Sequence, residues 1–520
     1  MTFPRVLTES LGGSKLSQAM QRGEIAAIGE AWPRDSAGWT ARATDVRERF
    51  RGGDWLRKLA PAFGEGASLP ALQRAASDGV IVTTGQQAAL FGGPMLTLVK
   101  ALSARSLATS IERATGVPCA TVFWAATDDA DFVEAASVLI PGTGAAQTLT
   151  LPATAPAGTP MSKVPIRAVE PLLAAMAAVA GSSGEAGIES LRRFYRDGAT
   201  IGHAYVGFMR ELLAPWGIAV LDASHPAVLE AAKPLVSSAL AGSAEIETRL
   251  GAWTAGLERQ GLRPQVESVP GLSLVFANEG AGKRRVPVAE AASVAASGVP
   301  LSPNVLLRPV VEAAILPTVA YAAGPGEIAY FAQIAPIAEA LNARRPVAVP
   351  RWSTTVVEPS VDRILERNGV TIADLKDFDG LVTRLVRARM PQDLLAPLTE
   401  LRAQIERATT ALAAGAGKHG VPSGIIEGIQ AQLSLRLDRG ERRIVAALKR
   451  NETELRRDLG TARASLYPEG VRQERALSFV PFVARYGDPL IERMLVEAGV
   501  HADRLVGSAV SAPLASAGAR

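Results

Sequence analysis

Along the first two thirds of the chain, short β-branched apolar runs alternate with glycine-rich or polar corners and longer stretches of helical spacing. Residues 79–84 (GVIVTT) form one such run, bounded by Gly85, and predict a buried strand. The corner GQQAALFGGP follows, and residues 95–113 then set Leu96, Val99, Leu102 and Leu107 at helical spacing. Residues 117–125 (VPCATVFWA) predict a second buried strand. Strand, helix and strand in this order and length build a parallel sheet. The alternation continues with a strand at 217–222 (GIAVLD) and a helical stretch over 226–260. A hairpin or inserted sheet at 272–277 and 285–288 precedes a helix over 305–316, with Pro309 near its start. A strand at 318–323 (TVAYAA), a helix over 327–342 and a last short strand at 347–350 complete it. Two stretches, near 141–200 and 256–300, interrupt the alternation and read as insertions. The first eighty residues read as short helices separated by glycine and proline.

From about Val361 onward the strand pattern disappears. Leu394, Leu398, Leu401, Ile405, Ala408 and Leu412 follow one another at alternating steps of four and three, a heptad seam. GAGKHGVPSG (residues 415–424) breaks it. Residues 425–465 then carry Ile426, Ile429, Leu433, Leu437, Ile444, Leu448 and Leu455 among many charges. Two amphipathic helices joined by a breaker predict an antiparallel coiled-coil hairpin; an ordinary helical domain is the plainer alternative. The expected fold class is α/β: a parallel-sheet core over 1–360 with its two insertions, a helical coiled-coil domain over 361–490, and a tail over 491–520.

Composition narrows the function. The 520 residues, 48% hydrophobic and 20% charged, suffice for a large buried core and predict roughly three domains of about 150 residues. One cysteine excludes an internal disulfide, and with four histidines it excludes the zinc sites built on paired cysteines. Lys+Arg 55 against Asp+Glu 51 is near balance, the arginines are dispersed, and no nucleic-acid partner is expected. No apolar run of about 18 residues predicts a membrane span, and the N-terminus lacks the layout of a secretory leader. A cytoplasmic protein is the expectation.

Three corners carry candidate chemistry. In open α/β sheets, ligands bind outside the carboxyl ends of the strands. In GQQAALFGGP, Gly92 and Gly93 permit close backbone approach, Pro94 suits a first helical turn, and a helix N-terminus attracts an anion. Gln86 and Gln87 add neutral donors and acceptors; a turn needed only for tight packing is the competing reading. Asp128, Asp129 and Asp131 crowd the corner after the second strand. Such carboxylates bind an amine, hold magnesium or act as a base, unless they only solvate a helix start. In the third corner, AGPGEIAY, Glu327 falls in a first helical turn, where glutamate is favoured in any case. Asn304 and Arg308 share a face if their segment is helical, and Arg308 is either buried against a carboxylate or turned to an anionic ligand. Cys119 sits in a buried-strand pattern as inert core, and His203 and His225 are isolated and read as structural.

These stretches, VIVTTGQQAALFGGP, VFWAATDDADF, LSPNVLLRPVVEAAILPTVAYAAGPGEIAYFAQI, VAVPRWSTTVVE and LYPEGVRQERALSFVPFVARYG, together resemble the cysteine-adding enzyme family of bacillithiol biosynthesis (BshC) from about residue 79 to 490. The resemblance implies a Rossmann-like core with inserted connecting segments and a C-terminal coiled-coil domain, in a homodimer. It implies addition of L-cysteine to the amine of glucosaminyl-malate, driven by ATP with magnesium and without a permanently bound cofactor or a protein metal site. It casts Asp128, Asp129 and Asp131 as the catalytic group that receives the amine. Gln86, Gln87, Gly92 and Gly93 would meet a phosphate or the malate carboxylates, Asn304 and Arg308 an anionic group, and Glu327 and Gln333 the opposite wall. Two departures stand out. Ala130 replaces the histidine of the family's Glu-Asp-His-Asp pattern, and Glu312-Ala313 replaces its Gln-Asp. The first favours a competing reading, a non-catalytic or substrate-divergent relative that binds a nucleotide or small anionic metabolite and dimerises through its coiled coil. A different amide- or glycosyl-forming enzyme on the same core is the third.

Overall fold

β-branched runs without a polar face are stable only when both faces of their sheet are covered. The computed structural model, which describes residues 3–25, 32–64, 69–280 and 282–507, covers them in this way. Its strands are β1 (Arg5–Thr8), β2 (Val80–Gln87), β3 (Cys119–Ala126), β4 (Ser137–Ile140), β5 (Gln147–Thr150), β6 (Ile218–Asp222), β7 (Leu272–Glu279), β8 (Gly282–Pro287), β9 (Leu301–Pro303), β10 (Thr318–Ala323), β11 (Ala348–Pro350) and β12 (Thr354–Val357).

Five of them form a parallel sheet in the order β11-β10-β2-β3-β6. The chain first winds outward from β2 through β3 to β6. It then returns to the other side of β2 for β10 and β11, the doubly wound arrangement of Rossmann-like folds. β2 and β3 pair along their whole lengths, from Val80 against Cys119 to Gln87 against Ala126. The helix Met95–Thr115 crosses between them and is buried on nearly every side, because the helix Asp488–Val506 covers its outer face. Asp503 there accepts hydrogen bonds from Ser110 at 2.6 Å and from Arg113.

Several boundaries differ from the sequence expectation, each for a local reason. The stretch 226–260 is two helices, Pro226–Ala241 and Ser243–Arg259, parted at Gly242. The helix expected over 305–316 begins at Arg308, and the one expected over 327–342 is two short pieces, Pro325–Phe331 and Ala335–Ala340. The hairpin β7–β8 gains a third strand, β9, giving an inserted antiparallel sheet β8-β7-β9. β1 pairs with β12, a contact across most of the chain that no local pattern announces. Residues 26–31, 65–68 and 508–520 of the expected N-terminal helices and C-terminal tail lie outside the described residues.

The chain divides into two compact units. One holds residues 1–140, 147–357 and 472–520, and the other 141–146 and 358–471. Residues 472–507, grouped from sequence with the helical domain and tail, therefore return to the sheet-bearing unit. The second unit contains the helical hairpin Gln392–Lys418 and Ser423–Asn451. Only residues 419–422 join its two arms, which therefore run antiparallel, and Arg402 on one bonds both Asp438 at 2.7 Å and Glu441 at 3.0 Å on the other. The heptad seam is only partly covered: Leu394, Leu401 and Leu412 remain 37%, 45% and 52% exposed.

Candidate active site

Crossovers that leave β2 and β10 in opposite directions cannot both cover the space above their carboxyl ends, so an opening forms there. A cleft of about 750 Å³ lies at this switch point. β2 extends through Gln87, so Gln86 and Gln87 stand on the strand end instead of in the expected loop. Both line the cleft. The Gln87 carboxamide donates to Asp129 at 3.1 Å, and the Gln86 Oε1 accepts from Lys100 Nζ at 3.2 Å.

Asp128, Asp129 and Asp131 also line the cleft, beyond the end of β3. Their repulsion is relieved because each has its own tether. Asp128 Oδ2 pairs with Lys283 Nζ at 2.8 Å. Asp129 Oδ1 accepts from the Asp131 backbone N–H at 2.8 Å while Oδ2 faces Gln87. Asp131 accepts from the Glu134 N–H at 3.2 Å and caps the short helix Phe132–Ala135. Asp131 therefore has the helix-start role of the plainer reading, whereas Asp128 and Asp129 are held toward the cleft by side chains from elsewhere.

The opposite wall is a buried ionic network. Arg308 Nη1 meets Glu312 at 2.7 Å, and its Nη2 donates to the Tyr330 hydroxyl at 3.0 Å. Arg308 thus has the carboxylate partner of one alternative read from sequence, and it also lines the cleft. Glu327 accepts from Lys100 Nζ at 2.7 Å, the Tyr321 hydroxyl at 2.6 Å and the Gly324 N–H at 2.7 Å. Burial opposes the Glu327 charge, but Lys100 and these two hydrogen bonds outweigh it and hold the carboxyl below its usual range. Arg351, which also lines the cleft, forms with Glu474 a fully buried bidentate pair at 2.9 and 2.8 Å.

Four expectations are corrected. Asn304 and Arg308 do not share a helical face, because the helix begins at Arg308; the Asn304 Oδ1 instead accepts from the N–H groups of Leu306 and Leu307 at 3.1 and 3.0 Å. Gly92 and Gly93 are not among the cleft-lining residues. Gly92, at φ 78°, donates its N–H to the Tyr195 hydroxyl, and a Cβ there would stand 2.6 Å from the Phe479 ring, so packing demands the glycine. At the following helix start two of the N–H groups expected to meet an anion are already taken, Met95 donating to Leu477 O at 2.7 Å and Thr97 to Pro94 O at 2.9 Å. Gln333 is fully buried, and its carboxamide closes a two-way bond with the Val266 backbone at 2.8 and 3.0 Å. It holds Val266 at the cleft without lining the wall itself.

Sequence reasoning missed Lys100, Lys283, Arg285, Tyr321, Tyr330 and Arg351, which all line the cleft. Lys100 left one signal, a lone cation amid Val99, Ala101 and Leu102. The others left none; Lys283 and Arg351 in particular meet their carboxylates only across 155 and 123 residues. Cys119 is buried, and burial pushes its thiol pKa up, as suits inert core. His225 caps the helix Pro226–Ala241 through Nδ1, a structural part as expected. Among the described residues no three His, Cys, Asp or Glu side chains converge as a metal-ligand set. No helix among them is long and apolar enough to cross a membrane.

A family model described as the bacillithiol biosynthesis BshC N-terminal Rossmann-like domain matches residues 54–291 and 288–352. A second, the BshC C-terminal coiled-coil domain, matches residues 354–503. A Koribacter versatilis (strain Ellin345) protein named "Putative cysteine ligase BshC" is 32% identical over 460 residues, 83% of this chain and 84% of its own. A Solibacter usitatus (strain Ellin6076) protein of the same name is 31% identical over 449 residues, 82% and 84% of the two chains. One from Heliobacterium modesticaldum (strain ATCC 51547 / Ice1) is 29% identical over 480 residues, 85% and 86%.

Proposed function

The chain belongs to the BshC family of bacillithiol biosynthesis, and from that membership we propose that it is a ligase joining L-cysteine to the amine of glucosaminyl-malate, with ATP as the co-substrate that drives amide formation. The observation that carries this reading is the juxtaposition, in one cleft at the switch point, of an acidic corner and a wall of cations.

The chemistry asks for two poles. A cysteine carboxylate reacts with an amine only after one carboxyl oxygen becomes part of a leaving group, which ATP supplies. The attacking nitrogen must be an amine, not an ammonium, so a nearby base takes its proton. Ala130 leaves no imidazole at this corner, and the carboxylates of Asp128 and Asp129 are the groups placed to receive the ammonium and its proton. Arg308, held by Glu312 and Tyr330, faces the anionic end of a substrate. Glu327 acts through Lys100 and Tyr321, fixing that wall. Magnesium enters as the counter-ion of the nucleotide, and no step is assigned to a protein-bound metal. The hairpin's exposed leucines are covered by a second copy of the chain, in a cytoplasmic homodimer.

Mass spectrometry of the purified protein with glucosaminyl-malate, L-cysteine, ATP and magnesium tests the reading. A product heavier by one cysteinyl residue is expected. No product, while an active family member works in the same buffer, overturns it. Ala130 favours one second reading, a binding-only relative, for which calorimetry would find nucleotide or substrate bound without turnover.

A further inference from the structure

The inserted sheet β8-β7-β9 has two unlike faces. Val275, Ala277 and Val286 are fully buried in an apolar core. Strand side chains alternate, so Lys283 and Arg285 fall on the opposite face of β8. The ladder sets Phe276 across from Arg285 and Asn278 across from Lys283. Lys283, Arg285 and Phe276 line the cleft, so the polar face of the inserted sheet is one of its walls.

Four cations of the cleft have carboxylate partners: Lys100 with Glu327, Arg308 with Glu312, Arg351 with Glu474, and Lys283 with Asp128. Arg285 differs. Its Nε donates to Ser273 O at 2.8 Å, and it forms no ion pair among the described residues. Burial pulls its pKa down with nothing to offset it. A half-buried guanidinium without a counter-charge is unfavourable until an anion completes it. Its fork suits a carboxylate or phosphate, and Lys283 stands one strand repeat away on the same face.

We infer that Arg285, with Lys283 beside it, forms the subsite for a polyanionic group, either the dicarboxylate of a malyl glycoside or the polyphosphate of a nucleotide. The inference rests on this cleft being the ligand site of the proposed ligase, but not on amide chemistry. An anion seated there gives Lys283 a second partner and leaves Asp128 to the amine.

Calorimetric titration of the full chain with glucosaminyl-malate and, separately, with ATP tests it. Arg285→Gln and Lys283→Gln should each weaken one of the two ligands about tenfold or more. The ligand that weakens identifies the source of the anion. Arg284→Gln is the charge control, since Arg284 lies on the alternate side and pairs with Glu279 and Glu290; it should bind as wild type. Arg285→Lys, which keeps a cation in place, should recover part of the affinity. Unchanged binding of both ligands by Arg285→Gln overturns the subsite, as does an equal loss in Arg284→Gln. So does a loss that Arg285→Lys fails to recover while both Arg285 variants melt early. Binding is read without turnover, so a chain that shows the Arg285-dependent binding but makes no amide counts against the ligase and for the subsite.

Discussion

Asp128 and Arg308 have opposite demands on a mutagenesis experiment. Asp128 is partly exposed and pairs with Lys283, whose side chain is only 10% exposed, so Asp128→Asn, which keeps an acceptor for the lysine, should lower the melting temperature modestly. If it receives the amine's proton, turnover should fall roughly 100-fold or more; a wild-type rate would remove it from the mechanism. Arg308→Ala is expected to abolish turnover as well, but it strands Glu312 in the core. Breaking such a pair costs roughly 3–5 kcal/mol, so melting must be followed beside activity. Glu474 gives a pH signature. Burial disfavours its charge, yet Arg351, Ser353 and the Thr354 N–H outweigh burial and hold its carboxyl below the usual glutamate value of 4.5. A depressed folded pKa contributes stability that is fully present above that value and lost as pH falls through the folded pKa. Glu474→Gln should therefore melt well below wild type at neutral pH, with the gap narrowing on acidification below about 4.5. Parallel melting curves across that window would contradict this account.

At the scale of elements, the corner between β2 and the helix Met95–Thr115 is built by packing rather than by ligand contact. Gly92→Ala should lower stability by roughly 2 kcal/mol or more, because it meets both a positive φ and the Phe479 ring. Denaturant unfolding would show it, and an unchanged midpoint would refute the packing role. The strands themselves were legible, since uninterrupted β-branched runs leave few alternatives to a buried sheet. The helix Met95–Thr115 was legible as a helix but not as one buried all round. Its cover, the helix Asp488–Val506, comes from the other end of the chain. Asn304 shows the same limit from the other side: its spacing to Arg308 fitted a shared helical face, but a side chain that caps the turn ends that geometry.

For the whole molecule, the exposed leucines of the helical hairpin make an association prediction. Leu401 and Leu412 on one arm and Ile429 and Leu433 on the other are each at least 41% exposed. Sedimentation should find a dimer, and Leu401→Glu with Leu433→Glu should yield a folded monomer. A concentration-independent monomer in the unaltered chain would refute the dimer.

The pattern of apolar runs alone determined the α/β class, the places of the main strands and the switch to helices after residue 360, because burial periodicity is a local property. It also determined which corners crowd carboxylates and glutamines near strand ends. Only tertiary structure decided which of those residues meet a cleft. Lys283 reaches Asp128 across 155 residues, and Arg351 reaches Glu474 across 123. Such pairs form because burying a charge is unfavourable until an opposite charge from a distant segment meets it, and no pattern of neighbours along the chain encodes that meeting.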